Sequence, residues 1–140
     1  MTADSAKPVT VPDFVDAKRR GDRLTMVTCY DYASARLLDA TSVDALLVGD
    51  SLGMVIQGHP NSLPVTLDQM VYHTRCVARG TQRALLVADM PFLSYHVGAE
   101  EAVRQAGRLI QEGGAHAVKV EGGRRIAATI ERIVSAQIPV

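Results

Sequence analysis

Cysteine is scarce: Cys29 and Cys76 are the only two in 140 residues, and neither falls in a CxxC pair. That leaves no structural zinc set and fits a reduced, cytoplasmic protein. An excess of either charge is also missing. Lys plus Arg and Asp plus Glu both count 15, so the chain carries no basic footprint for nucleic acid. No apolar run approaches the ~20 residues needed to cross a bilayer, and no membrane partner is expected. The first 22 residues, MTADSAKPVTVPDFVDAKRRGD, lack the apolar stretch of a signal peptide. What remains is ordinary for a globular chain, 47% apolar and 21% charged. It is long enough for one domain with a real core.

Strand and helix signals alternate along the chain. After the polar segment 1–22, whose PDFVDAKRRG reads as a short helix with Pro12 in its first turn and Gly21 past its end, LTMVTCY (24–30) predicts a strand. A helix over 31–41 follows, then a strand over 44–50. A long connection, 51–65, leads to a helix opening at Thr66, where Gln69 three residues on completes a capping-box signature. RALLVADM (83–90) predicts the third strand, and its helix runs through Ala99, Ala102, Val103, Ala106, Leu109 and Ile110 to Gly113-Gly114. A fourth strand over 116–122, a helix over 124–137 and the opening of a fifth strand in IPV complete the pattern. The strands are short and apolar on both faces, as expected of parallel strands buried under helices. Such alternation argues a parallel α/β fold. A closed (β/α)8 TIM barrel needs eight units and ~250 residues. The expectation is therefore the N-terminal half of a single barrel domain over 1–140: four βα units and the start of strand 5.

The apolar runs end in chemistry. Asp50 and Ser51 follow the second strand, Asp89 ends the third, and Lys119 and Glu121 end the fourth. In a parallel barrel such positions converge on one mouth. Three carboxylates without paired histidines suit a hard cation such as Mg²⁺, and a lysine among them could hold a substrate carboxylate or oxyanion. Lys119 and Glu121, two apart, would point to the same side of one strand. Plainer roles stand beside these. Asp50 and Asp89 could serve as helix caps or turn residues, Glu121 as a solvated loop acid, and Lys119 could reach for solvent. Cys29 reads as a buried bystander and Asp31 as a cap for the next helix; His59 reads as a loop residue, a turn or a lid contact, His73 and His96 as isolated, and His116 as opening a strand, so none makes a metal pair.

Taken together, TCYDYASARLLD, LLVGDSLGMVIQGHPNSLPVTLDQMVYHTRCVARG, LLVADMPFLSY and AHAVKVEGG closely resemble the ketopantoate (3-methyl-2-oxobutanoate) hydroxymethyltransferases, from about residue 8 to 140. The resemblance covers the N-terminal half of that family's chain. It implies a (β/α)8 barrel of the phosphoenolpyruvate/pyruvate superfamily. The implied reaction passes a hydroxymethyl group from 5,10-methylenetetrahydrofolate to 3-methyl-2-oxobutanoate, giving 2-dehydropantoate on the way to pantothenate. Asp50, Asp89 and Glu121 match the family's metal-site carboxylates, with Mg²⁺ as the implied ion. Asp50, Ser51, Asp89 and Lys119 match positions that bind the keto acid. The ion would polarise the ketone and acidify the C3 proton, and Lys119 would add positive charge to the same oxygens.

No residue of 1–140 matches the family's general base, a glutamate on a later strand. The chain alone is therefore expected to show little or no transferase activity. The family's homo-oligomers, often decamers, are implied only for a full-length chain. Two other readings stand: another Mg²⁺-dependent enolate enzyme of the superfamily, whose lyases use a KKCGH-like cysteine segment absent here, and a non-catalytic half barrel that pairs with a second chain.

Overall fold

The computed structural model describes residues 7–140, so the first six residues of the polar segment 1–22 lie outside the described residues. Helix α1 (Val11–Arg20) is closed at both ends by its own sequence. Thr10 and Asp13 exchange side-chain and backbone hydrogen bonds as a capping box, and Gly21 takes the left-handed conformation, φ 77°, that ends the helix. Strands β1 (Met26–Thr28), β2 (Ala45–Val48), β3 (Leu85–Asp89) and β4 (Ala117–Lys119) form one parallel sheet in the order β1-β2-β3-β4. Between them run α2 (Tyr32–Asp39), α3 (Leu52–Val55), α4 (Leu67–Gly80) and α5 (Ala99–Gln111). A 3-10 turn, Gly123–Ile126, leads into α6 (Ala127–Ser135).

Strict alternation along the strands sorts the sheet into two faces. Leu46, Val48, Leu86, Ala88 and Val118 point toward the helices and pack with Met70 and Val77 of α4, Leu109 of α5 and Ile133 of α6. On the opposite face Ala45, Leu85, Val87 and Ala117 form a second cluster, covered by Val9, Val11 and Phe14. Thus α1 and the residue pair before it lie against what would be a barrel interior. A backbone bond from Val9 N–H to the Arg83 carbonyl, 2.7 Å, fastens them there.

Where the strands begin, acids are spent on structure. The Asp39 carboxylate accepts the backbone N–H groups of Gln82, Arg83 and Ala84, the tightest at 2.7 Å. Asp44 Oδ2 accepts from the amide and hydroxyl of Thr25, tying the entry to β1 to the entry to β2.

Several sequence expectations need correction. Every strand is shorter than its apolar run, because pairing ends where the neighbouring strand ends: Thr28 pairs with Leu47, Val48 with Ala88, and Asp89 with Lys119. Glu121 accordingly lies past β4 rather than on it. The strands are not all buried on both faces either. Met26 and Val27 of β1 are 46% and 39% exposed, since β1 is the sheet edge and little packs over it. The 51–65 connection contains helix α3, seated by the fully buried Leu52. The last helix divides because Gly122 and Gly123, at φ 135° and 56°, admit a tight turn before α6 begins. Residues 138–140 form no assigned strand, yet Val118 N–H donates to the Pro139 carbonyl at 2.9 Å, so the chain returns alongside β4. Thr66 and Gln69 make the expected capping box, and Asp31 caps α2 through the Ser34 amide.

Candidate active site

The strands deliver their last side chains to one cleft of about 410 Å³, lined by Asp50, Asp89, Lys119 and Glu121 among others. Asp89 is the buried member, only 5% exposed, and both of its oxygens are engaged. Lys119 Nζ donates to Oδ1 at 2.6 Å, and the Asp50 amide donates to Oδ2 at 3.2 Å. Lys119 also donates to Glu121 Oε1 at 2.8 Å. The parallel register explains the first meeting: Asp89 pairs directly with Lys119, so their side chains leave the same face side by side. Lys119 does not reach away into solvent, and Asp89 does not close a turn. Asp50 caps nothing through its side chain, because Ser51 holds the N-cap position of α3.

Burial and charge oppose each other here. Desolvation pushes the Asp89 carboxyl above its usual range, and the hydrogen bond and charge of Lys119 draw it only part of the way back. Burial pulls the Lys119 ammonium down, but the two carboxylates together outweigh it and hold the ammonium above its ordinary value. Lys119 in turn lowers Glu121, which is mostly solvent-exposed. Buried Cys29 has its thiol raised by desolvation, which leaves little thiolate for nucleophilic work and fits the bystander role.

Gly49 makes the convergence sterically feasible. A Cβ at residue 49 would stand 2.7 Å from Ser51 Oγ, so the hydroxyl takes the space a side chain would fill, while Asp89 Oδ2 at 3.5 Å would be in ordinary contact. On the far wall Tyr95, Phe92 and His96 form an aromatic group, with the Tyr95 and His96 rings 4.1 Å apart. The Tyr95 hydroxyl accepts the Glu121 amide at 3.1 Å and so holds the segment that carries Glu121.

Besides Tyr95, two contributors escaped the sequence reading. The Tyr30 hydroxyl lies 2.9 Å from Ser51 Oγ, and His73 Nδ1 lies 2.8 Å from the Tyr30 carbonyl. These bonds span 21 and 43 residues, so spacing along the chain gave no signal for them. His73 is thus not isolated in space.

Among the described residues no group of three acidic, histidine or cysteine side chains stands close enough to form a ready-made cage. The donor chemistry nevertheless fits a hard cation. Mg²⁺ commonly takes one or two carboxylates, keeps several waters and completes its shell with substrate oxygens. Asp50, Asp89 and Glu121 all offer carboxylates to the same cleft.

Four parallel βα units with their reactive side chains gathered at the strand C-termini define a partial (β/α)8 barrel of the kind that carries enzyme sites. Solved structures agree on the fold. Oxaloacetate acetylhydrolase superposes with a TM-score of 0.66 at 17% identity, over 94% of this chain and 50% of its own. 2,3-Dimethylmalate lyase, a PEP mutase/isocitrate lyase superfamily member, also gives 0.66 at 17%, over 90% and 47%. The family model for ketopantoate hydroxymethyltransferase matches residues 8–140, and the chain belongs to that family. The 3-methyl-2-oxobutanoate hydroxymethyltransferase of Pelobacter propionicus is 56% identical over 138 residues, 99% of this chain and 51% of the relative. That of Clostridioides difficile is 56% identical over 131 residues, 94% and 48%. The chain spans about half the length of the curated relatives it matches. Among the described residues no helix is long and apolar enough to cross a membrane.

Proposed function

We propose that this chain supplies the oxo-acid half of a transferase that moves a hydroxymethyl group from 5,10-methylenetetrahydrofolate to 3-methyl-2-oxobutanoate. The observation that carries the reading is Lys119 Nζ, held between Asp89 and Glu121 at the cleft on positions that match the family's motifs. Asp50, Asp89 and Glu121 would hold Mg²⁺, which when bound supplies Lewis-acid polarisation of the substrate carbonyl. Lys119 then faces the developing enolate oxygen, where a fixed positive charge is worth most in the transition state. Asp89, itself buried, keeps that ammonium oriented. Ser51, with Asp50, would hold the substrate carboxylate. The aromatic wall shields the apolar end of the acid.

The proton at C3 needs a base, which in the family is a glutamate beyond the residues matched here. The 140-residue chain by itself should therefore bind the oxo acid but turn over little or none of it. The same reading carries a cytoplasmic homo-oligomer as the working form of a full-length protein. The test has two parts. Titrating the chain with 3-methyl-2-oxobutanoate and Mg²⁺ should shift backbone amide resonances of Asp50, Ser51, Asp89 and Lys119. Fusing the remaining half of the Pelobacter propionicus relative after Val140 should create folate-dependent formation of 2-dehydropantoate. Amide shifts confined to other regions, or a fused enzyme unaffected by Lys119→Ala, would defeat the assignment.

A further inference from the structure

We propose that Tyr30 is a positioning residue that acts through Ser51: its phenol donates to Ser51 Oγ, so that Ser51 presents its own proton to a bound 2-oxo acid. This rests on the reading of Ser51 as an oxo-acid ligand given above. The two oxygens are 2.9 Å apart, and each hydroxyl has one proton to give and lone pairs to accept with. A phenol O–H is a better donor than an aliphatic O–H, so the shared contact runs best from Tyr30 to Ser51. Ser51 makes no cap bond to α3 with its side chain, so its proton is not spent on the backbone. Its Oγ occupies room that a side chain at Gly49 would take, one residue after Asp50, which lines the cleft.

Tyr30 is itself held from a third direction. A backbone carbonyl only accepts, so the 2.8 Å contact requires the proton on His73 Nδ1, and that bond fixes the chain where it leaves β1. One residue earlier, the Cys29 amide donates to the Leu47 carbonyl at 2.9 Å and locks the same corner to β2. The phenol therefore approaches Ser51 from a backbone pinned by α4 on one side and by the sheet on the other. A serine alone can spin among three rotamers. A serine that accepts from a fixed phenol has its remaining proton aimed.

A double-mutant cycle on the 140-residue chain tests this, with 3-methyl-2-oxobutanoate as the probe, Mg²⁺ in the buffer and affinity read from amide shifts. Circular dichroism checks that each variant folds. Ser51→Ala should weaken binding about tenfold, the worth of one hydrogen bond to a charged group. Tyr30→Phe should weaken it about three- to fivefold. The double variant should match Ser51→Ala within about twofold, because a phenol that works through Ser51 has nothing left to orient. Ser51→Thr, which keeps the hydroxyl, should restore sensitivity to Tyr30→Phe; a merely structural tyrosine would not show that rescue. Strictly multiplicative losses, or a Tyr30→Phe chain that binds unchanged, would overturn the inference. Should Ser51→Ala bind normally, or the unaltered chain not bind at all, the Ser51 assignment fails and the inference falls with it.

Discussion

Lys119→Met separates the electrostatics of the cleft from its packing. The substitution keeps most of the side-chain volume and leaves Asp89, whose side chain is 7% exposed, without the ammonium 2.6 Å away. Breaking a fully buried pair by removing one partner costs about 3–5 kcal/mol. Lys119 is 38% exposed, so solvent already screens the pair, and about 2–3 kcal/mol is the reasonable figure at pH 8. Burial already raises the Asp89 carboxyl, and loss of Lys119 removes the largest influence pulling it down. In the variant the folded state therefore holds the Asp89 proton more tightly than the unfolded chain does. Stability tied to that proton is fully present below the ordinary carboxyl value of 3.8 and is lost as pH rises through the raised folded value. Urea melts at pH 5 and pH 8 should consequently show a larger deficit at pH 8. With an m of about 2 kcal/mol/M, the midpoint should drop by about 1 M there. Adding Asp89→Asn should return most of the lost stability and flatten the pH dependence. Equal deficits at both pH values, or a double variant as weak as Lys119→Met alone, would refute the account of Asp89 as a buried charge balanced by one lysine.

Three other outcomes follow from local structure. Thr66→Ala deletes half of the α4 capping box and should cost about 1 kcal/mol, seen as a fall of about 3 °C in Tm. His116 Nδ1 accepts the Leu86 amide at 3.1 Å, and desolvation lowers its pKa from 6.5. Its contribution should be intact above pH 6.5 and shrink as the medium is acidified through the lowered folded value, and a pH series of melts on His116→Asn should lack that component. Gly49→Ala places a methyl against Ser51 Oγ and should weaken oxo-acid binding several-fold while circular dichroism stays unchanged.

The central strands were readable because buried parallel strands must be apolar on both faces, and ALLV (45–48) and ALLVA (84–88) are unbroken apolar runs. Their lengths were not. Apolar character continues through Cys29 and Val120, whereas strand pairing ends at Thr28 and Lys119. Helix α4 announced itself through Thr66 and Gln69, but α3 is four residues long, and its Ser51 makes no side-chain cap. Asp50, Asp89, Lys119 and Glu121 were legible as strand-end residues, and the cleft brings all four together. Tyr30, His73 and Tyr95 could not be read, because each acts through a single bond to a residue 21 to 43 positions away.

The bond from Val9 to Arg83 also sets a schedule. The segment that seals the inner face of the sheet is made first, but its carbonyl partner and the Leu85–Val87 surface it rests on come more than seventy residues later. At 5–20 residues per second, Val9, Val11 and Phe14 wait roughly 4–15 s on the ribosome before they have anywhere to dock. During that interval α1 must keep itself together, and its Thr10–Asp13 box and Gly21 stop are local devices that need nothing downstream. Among the described residues, the helix with both a capping box and a left-handed glycine stop is thus the one that has longest to wait.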